Sequence, residues 1–248
     1  MSAATTTAAR AFRGTATEGR SRAELQGLVR HAGAELELAP AEDIIEWAVA
    51  TFGARFAVTS SMGDAVLAHL AGTVSPGIDV LFLDTGYHFT ETIGTRDAVG
   101  ATLPVNLVSL APAESVAEQD AKYGKDLFAR DPDLCCALRK VQPLQDALAA
   151  FDAWATGLRR DETRNRVIAP VIGWDEAKRK VKVSPLARWT GRDVDRYVAE
   201  NGVLVNPLRY DGYPSIGCWP CTHRVAAGED PRSGRWAGTG KTECGIHA

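Results

Sequence analysis

Arg55-Phe-Ala-Val-Thr-Ser-Ser-Met-Gly63, running directly into Asp64-Ala-Val-Leu-Ala-His-Leu70, decides the fold. A short apolar run, a Ser/Gly turn and a helical segment follow one another without a break, which is the pattern of a strand feeding a helix. The turn brings small hydroxyls and backbone N–H groups to a helix N-terminus, where phosphate binds well. Ser60, Ser61 and Gly63 are therefore candidate phosphate contacts, although many strand-to-helix turns share this composition.

The same unit recurs downstream. Ile78-Asp-Val-Leu-Phe-Leu83 is a second buried strand, and Asp84-Thr-Gly-Tyr-His-Phe-Thr-Glu91 follows it at once. Ligands of open parallel sheets bind beyond the carboxyl ends of the strands, which makes Asp84, Thr85 and Gly86 candidates for substrate contact. A helix over Phe89–Val99 and a strand over Pro104–Leu110 continue the alternation. Repeated β-α steps predict an α/β fold: a doubly wound, mostly parallel sheet with helices on both faces.

Upstream, helical spacing predicts helices over Arg22–Leu38 and Ala41–Phe52, the second stopped by Gly53. Further on, helices are expected over Ala113–Tyr123 and over Leu134–Phe151, with Pro143 kinking or breaking the latter. Phe151–Ala155 reads as a strand leading into the arginine-dense loop Thr156–Arg166. Arg166–Ile172 and Val181–Ser184 read as extended, and Thr190 with Asp193 caps a helix ending at Asn201. Beyond Pro207 the chain is rich in Gly and Pro and reads as an irregular tail. The expected organisation is a leader over 1–22, an α/β domain over 23–223 and a mobile C-terminal segment over 224–248.

Composition bounds the function. In 248 residues, 45% hydrophobic and 24% charged content is that of a folded domain, and a net charge of −3 with a pI near 6.0 gives no general attraction to nucleic acid or an anionic membrane. No apolar run approaches the roughly 20 residues of a membrane helix. The Ala-, Thr- and Arg-rich leader lacks the apolar core of a secretory signal, so a cytoplasmic location is expected. Five cysteines in a reducing compartment point to metal or redox chemistry rather than disulfides.

Four of those cysteines fall in pairs, Cys135-Cys136 and Cys218-Trp-Pro-Cys221. One tetrahedral zinc would hold its sulfurs about 3.8 Å apart, whereas side chains of neighbouring residues diverge in direction. An adjacent pair suits two different irons of a [4Fe–4S] cube better than a single zinc. Cys244 is left over, beside Lys241 and His247, and an unpaired cysteine is a candidate nucleophile. Attack by a thiolate on an anionic substrate needs its charge neutralised, and guanidinium groups suit that task. Arg159, Arg160, Arg164, Arg232 and Arg235 are the candidates. Lys140 lies on the helical face of Cys136 and can bridge cluster and substrate, and His247 can face the thiolate or the leaving nucleotide.

Cys135-Cys-Ala-Leu-Arg-Lys140, Ser215-Ile-Gly-Cys-Trp-Pro-Cys-Thr222 and Lys241-Thr-Glu-Cys-Gly-Ile-His247 resemble the motifs of assimilatory adenylyl-sulfate (APS) reductases, the iron–sulfur branch of the phosphoadenylyl-sulfate (PAPS) reductase family. Asp84-Thr-Gly-Tyr-His-Phe89, Thr156-Gly-Leu-Arg-Arg160 and Gly234-Arg-Trp236 are similar to that family too. The resemblance implies an adenine nucleotide alpha hydrolase-like fold and thioredoxin-dependent reduction of adenosine 5'-phosphosulfate to sulfite and AMP. It implies Cys244 as the nucleophile that forms a cysteine thiosulfonate, and Cys135, Cys136, Cys218 and Cys221 as ligands of a [4Fe–4S] cluster. Thioredoxin is the expected partner, and homo-oligomerisation is left open. The phosphate loop departs from the Ser-Gly-Gly-x-Asp-Ser form of related ATP pyrophosphatases. Two alternatives accompany this reading: the same reaction on the 3'-phosphorylated nucleotide, and a zinc-stapled nucleotide-binding protein without turnover.

Overall fold

Strands buried on both faces build the fold from both sides of one sheet. In the computed structural model, which describes residues 19–239, 241 and 243–246, β1 (Phe56–Thr59), β2 (Ile78–Leu83), β3 (Val105–Leu110), β4 (Ala153–Ala155), β5 (Ile172–Asp175) and β6 (Lys180–Val183) form a sheet of order β3-β2-β1-β4-β6-β5. All neighbouring pairs are parallel except β5 with β6. Successive side chains of a strand point to opposite faces. Phe56, Val58, Val80, Phe82, Ala153 and Ala155 therefore belong to one core, and Ala57, Leu81 and Trp154 to another.

The first core is covered by α1 (Arg22–Glu35), α2 (Ala41–Phe52), α3 (Val66–Val74), α4 (Thr90–Thr102) and α9 (Gly191–Asn201). The second is covered by Leu144, Ala147 and Leu148 of α8 (Gln142–Leu148) and by Phe151. The expected doubly wound sheet with helices on both faces is thus observed. Its chain path decides where a ligand can sit. From β1 the order runs outward through β2 to β3, then the chain returns to place β4 on the other side of β1. The reversal leaves a crevice beyond the carboxyl ends of β1 and β4.

Local chemistry sets the boundaries. Ser21 and Glu24 form a reciprocal capping box that opens α1, Ser115 and Glu118 another that opens α5 (Val116–Tyr123), and Thr190 and Asp193 a third at α9. Two expectations need correction. The helix foreseen over Leu134–Phe151 is instead α7 (Pro132–Cys136), a π-helical turn over Ala137–Val141 and α8, preceded by the short α6 (Leu127–Arg130). The irregularity falls one turn before Pro143, because proline at position 143 lacks the N–H that an uninterrupted α-helix would aim at residue 139. Arg166–Ile172 is not extended throughout. Arg164–Arg166 is a 3-10 turn, and the strand starts only at Ile172.

The leader residues 1–18 and, in the tail, Gly240, Thr242, His247 and Ala248 lie outside the described residues.

Candidate active site

The carboxyl ends of β1, β2 and β4 open onto a cavity of about 600 Å³. Thr59, Ser60, Ser61 and Gly63 line it from β1, Leu83 and Thr85 from β2, and Thr156 and Gly157 from β4. The Ser/Gly turn is held in an unusual shape. Met62 is fully buried with φ +58°, the left-handed region that side chains avoid. Asn206 pins it, donating from Nδ2 to the Met62 carbonyl at 3.1 Å, while the Asn206 N–H donates to the Gly63 carbonyl at 3.1 Å. At the start of α3 the Val66 N–H donates to Asp64 Oδ1 at 3.1 Å. That N–H is satisfied by a side chain of the turn itself.

Cations come to the cavity from three other segments. Lys140 reaches it from the π-helical turn, Arg159 and Arg166 from the loop after β4, and Arg232 and Arg235 from the tail. Glycine makes the tail's approach feasible. A Cβ on Gly217 would collide with the Arg235 guanidinium, and one on Gly234 with the His223 carbonyl. His223 N–H donates to Gly234 O at 2.8 Å and Trp236 N–H to Cys221 O at 3.0 Å, so the arginine loop is stitched to the Cys218–Cys221 turn. Arg235 lies 4.5 Å from the Trp236 ring centroid and donates from Nη1 to Ser215 Oγ at 3.2 Å, while its buried Nε has no hydrogen-bond partner among the described residues. Burial, then the neighbouring Arg232, lower its pKa below the usual arginine value.

The tail lies in the same cavity. Cys244 is half-buried and lines it together with Lys140, Arg232 and Arg235. Glu243 bridges Arg166 and Arg232, and the carbonyl of Ile246 accepts from Lys178 Nζ at 2.8 Å. Lys241 pairs with Asp133.

Behind this cavity is a smaller, almost wholly apolar one, lined by Cys135, Cys136, Cys218 and Cys221 with Tyr87, Phe128, Arg139 and Lys140. All four thiols are free. Burial pushes Cys135 up to about 12 and Cys221 up to about 11, and raises Cys136, so these thiols stay protonated near neutral pH unless a metal takes the proton's place. Four sulfurs from two distant segments around one apolar space have the chemistry to hold a cysteine-bound metal group. Among the described residues, no three of Cys, His, Asp and Glu close on a single ion. Lys140 and Cys218 line both cavities. Burial opposes the charge of Lys140, but Cys218, Cys244 and Cys136 outweigh it, and its pKa is raised above the usual lysine value.

Of the residues singled out in the sequence, the cavity brings together Ser60, Ser61, Gly63, Thr85, Lys140, Arg159, Arg232, Arg235 and Cys244. It does not take in Asp84, Gly86, Arg160 or Arg164. Asp84 pairs with Arg96 at 3.1 Å, and Gly86, at φ +74°, turns the chain beside Arg139. Arg160 forks onto Glu37 at 2.7 and 3.1 Å and donates to the Ala169 carbonyl at 2.8 Å. Arg164 is exposed, and His247 lies outside the described residues. Arg166, Arg209 and Glu243 line the cavity without having been expected there. Nothing in a loop of four arginines distinguishes Arg166 from its neighbours, since only the fold shows which of them turns inward.

Residues 55–224 match the phosphoadenosine phosphosulfate reductase domain. The chain belongs to the phosphoadenosine phosphosulfate reductase family. The match to this reductase domain includes Cys135, Cys136, Cys218 and Cys221 and ends before Cys244. Family relatives named adenosine 5'-phosphosulfate reductase include one from Streptomyces coelicolor, 63% identical over 93% of this chain and 98% of its own, and one from Mycolicibacterium smegmatis, 56% identical over 90% and 95%. A crystal structure of the phosphoadenylyl-sulfate reductase of Candida auris, in complex with phosphate, aligns with TM-score 0.67 and 29% identity over 81% of this chain and 97% of that one. Yeast FAD synthetase, at TM-score 0.52 and 12% identity over 85% of this chain and 71% of that one, shares the fold alone. The adenine nucleotide alpha hydrolase-like architecture expected for a phosphoadenosine phosphosulfate reductase is the one observed.

Proposed function

We propose that this chain reduces adenosine 5'-phosphosulfate to sulfite and AMP, with Cys244 as nucleophile and thioredoxin as electron donor, in assimilatory sulfate reduction. One observation carries the reading: Cys244 lies in the strand-end cavity among Lys140, Arg232 and Arg235, while the other four cysteines line a separate space behind it. The Cys244 thiolate attacks the sulfur of the sulfo group, the bond from that sulfur to the phosphate oxygen breaks, and AMP departs with the bonding pair. The enzyme then holds a cysteine thiosulfonate. A thiolate of reduced thioredoxin attacks Cys244 Sγ and releases sulfite, and the second thioredoxin thiol resolves the mixed disulfide. The two electrons that reduce the sulfur are thus those lost by the thioredoxin dithiol.

Both attacking and attacked groups are anionic, so their approach is costly without fixed positive charge. Lys140, Arg232 and Arg235 supply it, and the buried, unpaired Nε of Arg235 offers a donor to a sulfo or phosphate oxygen. Ser60, Ser61, Gly63, Thr85 and Arg159 would contact the nucleotide from the strand ends.

Cys135, Cys136, Cys218 and Cys221 would hold a [4Fe–4S] cluster, which when bound ties the two segments together and places negative charge behind Lys140 without carrying electrons. The protein is read as cytoplasmic; no helix among the described residues is long and apolar enough to cross a membrane. The chain is read as a leader over 1–22, an α/β domain over 23–223 and a C-terminal segment over 224–248 that carries the catalytic cysteine. The relatives named for the nucleotide without a 3'-phosphate favour that substrate. Sulfite release from the two nucleotides with reduced thioredoxin tests the choice. Faster turnover of adenosine 5'-phosphosulfate is expected, and faster turnover of the 3'-phosphorylated form would reverse it.

A further inference from the structure

Each guanidinium nitrogen of Arg166 donates to a carboxylate. Nε donates to Glu243 Oε1 at 2.8 Å, Nη2 to Glu243 Oε2 at 2.7 Å, and Nη1 to Glu162. Arg232 Nη2 lies 3.4 Å from the same Glu243 Oε2. Both arginines line the cavity. An anion entering it can therefore reach the Glu243 edge of Arg166 only by replacing a carboxylate already there. The displaceable one is Glu243, since Glu162 is additionally fixed by the Arg159 N–H at 3.0 Å, within its own loop.

We infer that Glu243 is an internal competitor of the substrate: its carboxylate holds the place of an anionic substrate group on Arg166 and Arg232, and leaves when that group arrives. The inference deepens the function proposed above and rests on it for the identity of the anion, a phosphate or sulfo group of the nucleotide. The geometry next to Glu243 gives the exchange a consequence. Cys244 is its neighbour in the chain, followed by Gly245 at φ +78° and then by Ile246, whose carbonyl stays on Lys178, itself paired with Asp175 at 3.1 Å. Release of Glu243 loosens the short stretch around Cys244 between two remaining anchors, Lys241 paired with Asp133 and Ile246 held by Lys178. The nucleophile can then adjust to the sulfur without leaving the cavity.

The test compares alkylation of Cys244 by iodoacetate, an anion, and by iodoacetamide, its neutral counterpart, in the full-length protein and in Glu243→Gln, with rates read at Cys244 by peptide mass. Glu243→Gln keeps the side-chain shape and removes the charge. The ratio of iodoacetate to iodoacetamide rates should rise about tenfold, the scale of a lost charge-assisted fork, and inorganic sulfate should suppress the gain. An unchanged ratio, or an equal acceleration of both reagents, overturns the inference, because the carboxylate would then merely tether the tail. Neither result depends on nucleotide. Failure of ADP to slow iodoacetamide in either protein would instead count against the nucleotide reading of the cavity.

Discussion

Thr85 Oγ1 lies 3.3 Å from Cys218 Sγ, a buried contact that joins the carboxyl end of β2 to the four-cysteine cavity. Thr85 and Cys218 both line the strand-end cavity, and Cys218 lines the second as well. The two spaces share part of one wall, formed by Cys218 and Lys140. Whatever charge the four sulfurs hold is therefore felt where the substrate would bind, and Lys140, common to both spaces, is the cation placed to mediate it.

Replacing Cys218 by serine removes one sulfur from that wall. The variant is expected to lose iron and the broad absorption near about 400 nm typical of cysteine-bound clusters, and to lose cooperative unfolding of the segments around residues 132–141 and 214–236. Iron content and the visible spectrum of the anaerobically purified protein check this. Unchanged iron would remove Cys218 from the ligand set.

Cys244→Ser separates chemistry from structure. Sulfite formation should fall below detection while the visible spectrum and the binding of AMP stay at wild-type values. Loss of colour in this variant would mean that Cys244 holds metal.

Arg160 and Arg166 illustrate how far the sequence could be read. Both sit in one arginine-dense loop, and neighbouring residues give no sign of which way each turns. Arg160 ties the loop to Glu37 and Ala169 and does not line the cavity, although its neighbours Arg159 and Asp161 do. Arg160→Met should cost about 1–2 kcal/mol of stability, as for a bidentate pair that is partly exposed, and leave turnover within about twofold. Arg166→Met should lower kcat/KM about a hundredfold, the scale of a lost charge-stabilising donor. Steady-state kinetics and urea unfolding of both variants decide. Equal losses of turnover would return Arg160 to the site.

Elsewhere the sequence was more transparent. The near-continuous apolar run of β2, buried on both faces, and the turn residues at the ends of β1 and β2 predicted the sheet and the side on which the cavity opens, because strand polarity follows from β-α alternation. The paired cysteines were legible as one group because their chemistry admits few alternatives. The π-helical turn that carries Lys140, the left-handed Met62 and the docking of Glu243 were not, since each depends on contacts between segments remote in the chain.

Lys182 offers a test of the ground beneath the tail. It packs 5.4 Å from the Trp154 ring centroid, and burial lowers its pKa from the ordinary lysine value of 10.5 to about 8, with Asp175 only partly offsetting this. Between pH 8 and 10.5 the unfolded chain holds a proton that the folded one has lost, so stability rises with pH across that window. Below it the fold carries the full cost of the buried charge. Lys182→Met should therefore stabilise the protein at pH 7 by about 1–3 kcal/mol, and this advantage should shrink as pH approaches 10. Urea unfolding of both proteins at the two pH values measures it. An advantage that grew with pH would show that Lys182 is charged and paired in the fold.

The division of labour among the thiols has the most direct test in the intact mass of the protein mixed anaerobically with adenosine 5'-phosphosulfate in the absence of reductant. The account predicts a gain equal to one sulfo group, mapped by peptide analysis to Cys244 and discharged as sulfite when reduced thioredoxin is added. A protein of unchanged mass, or a sulfo group on any of the other four cysteines, would contradict it.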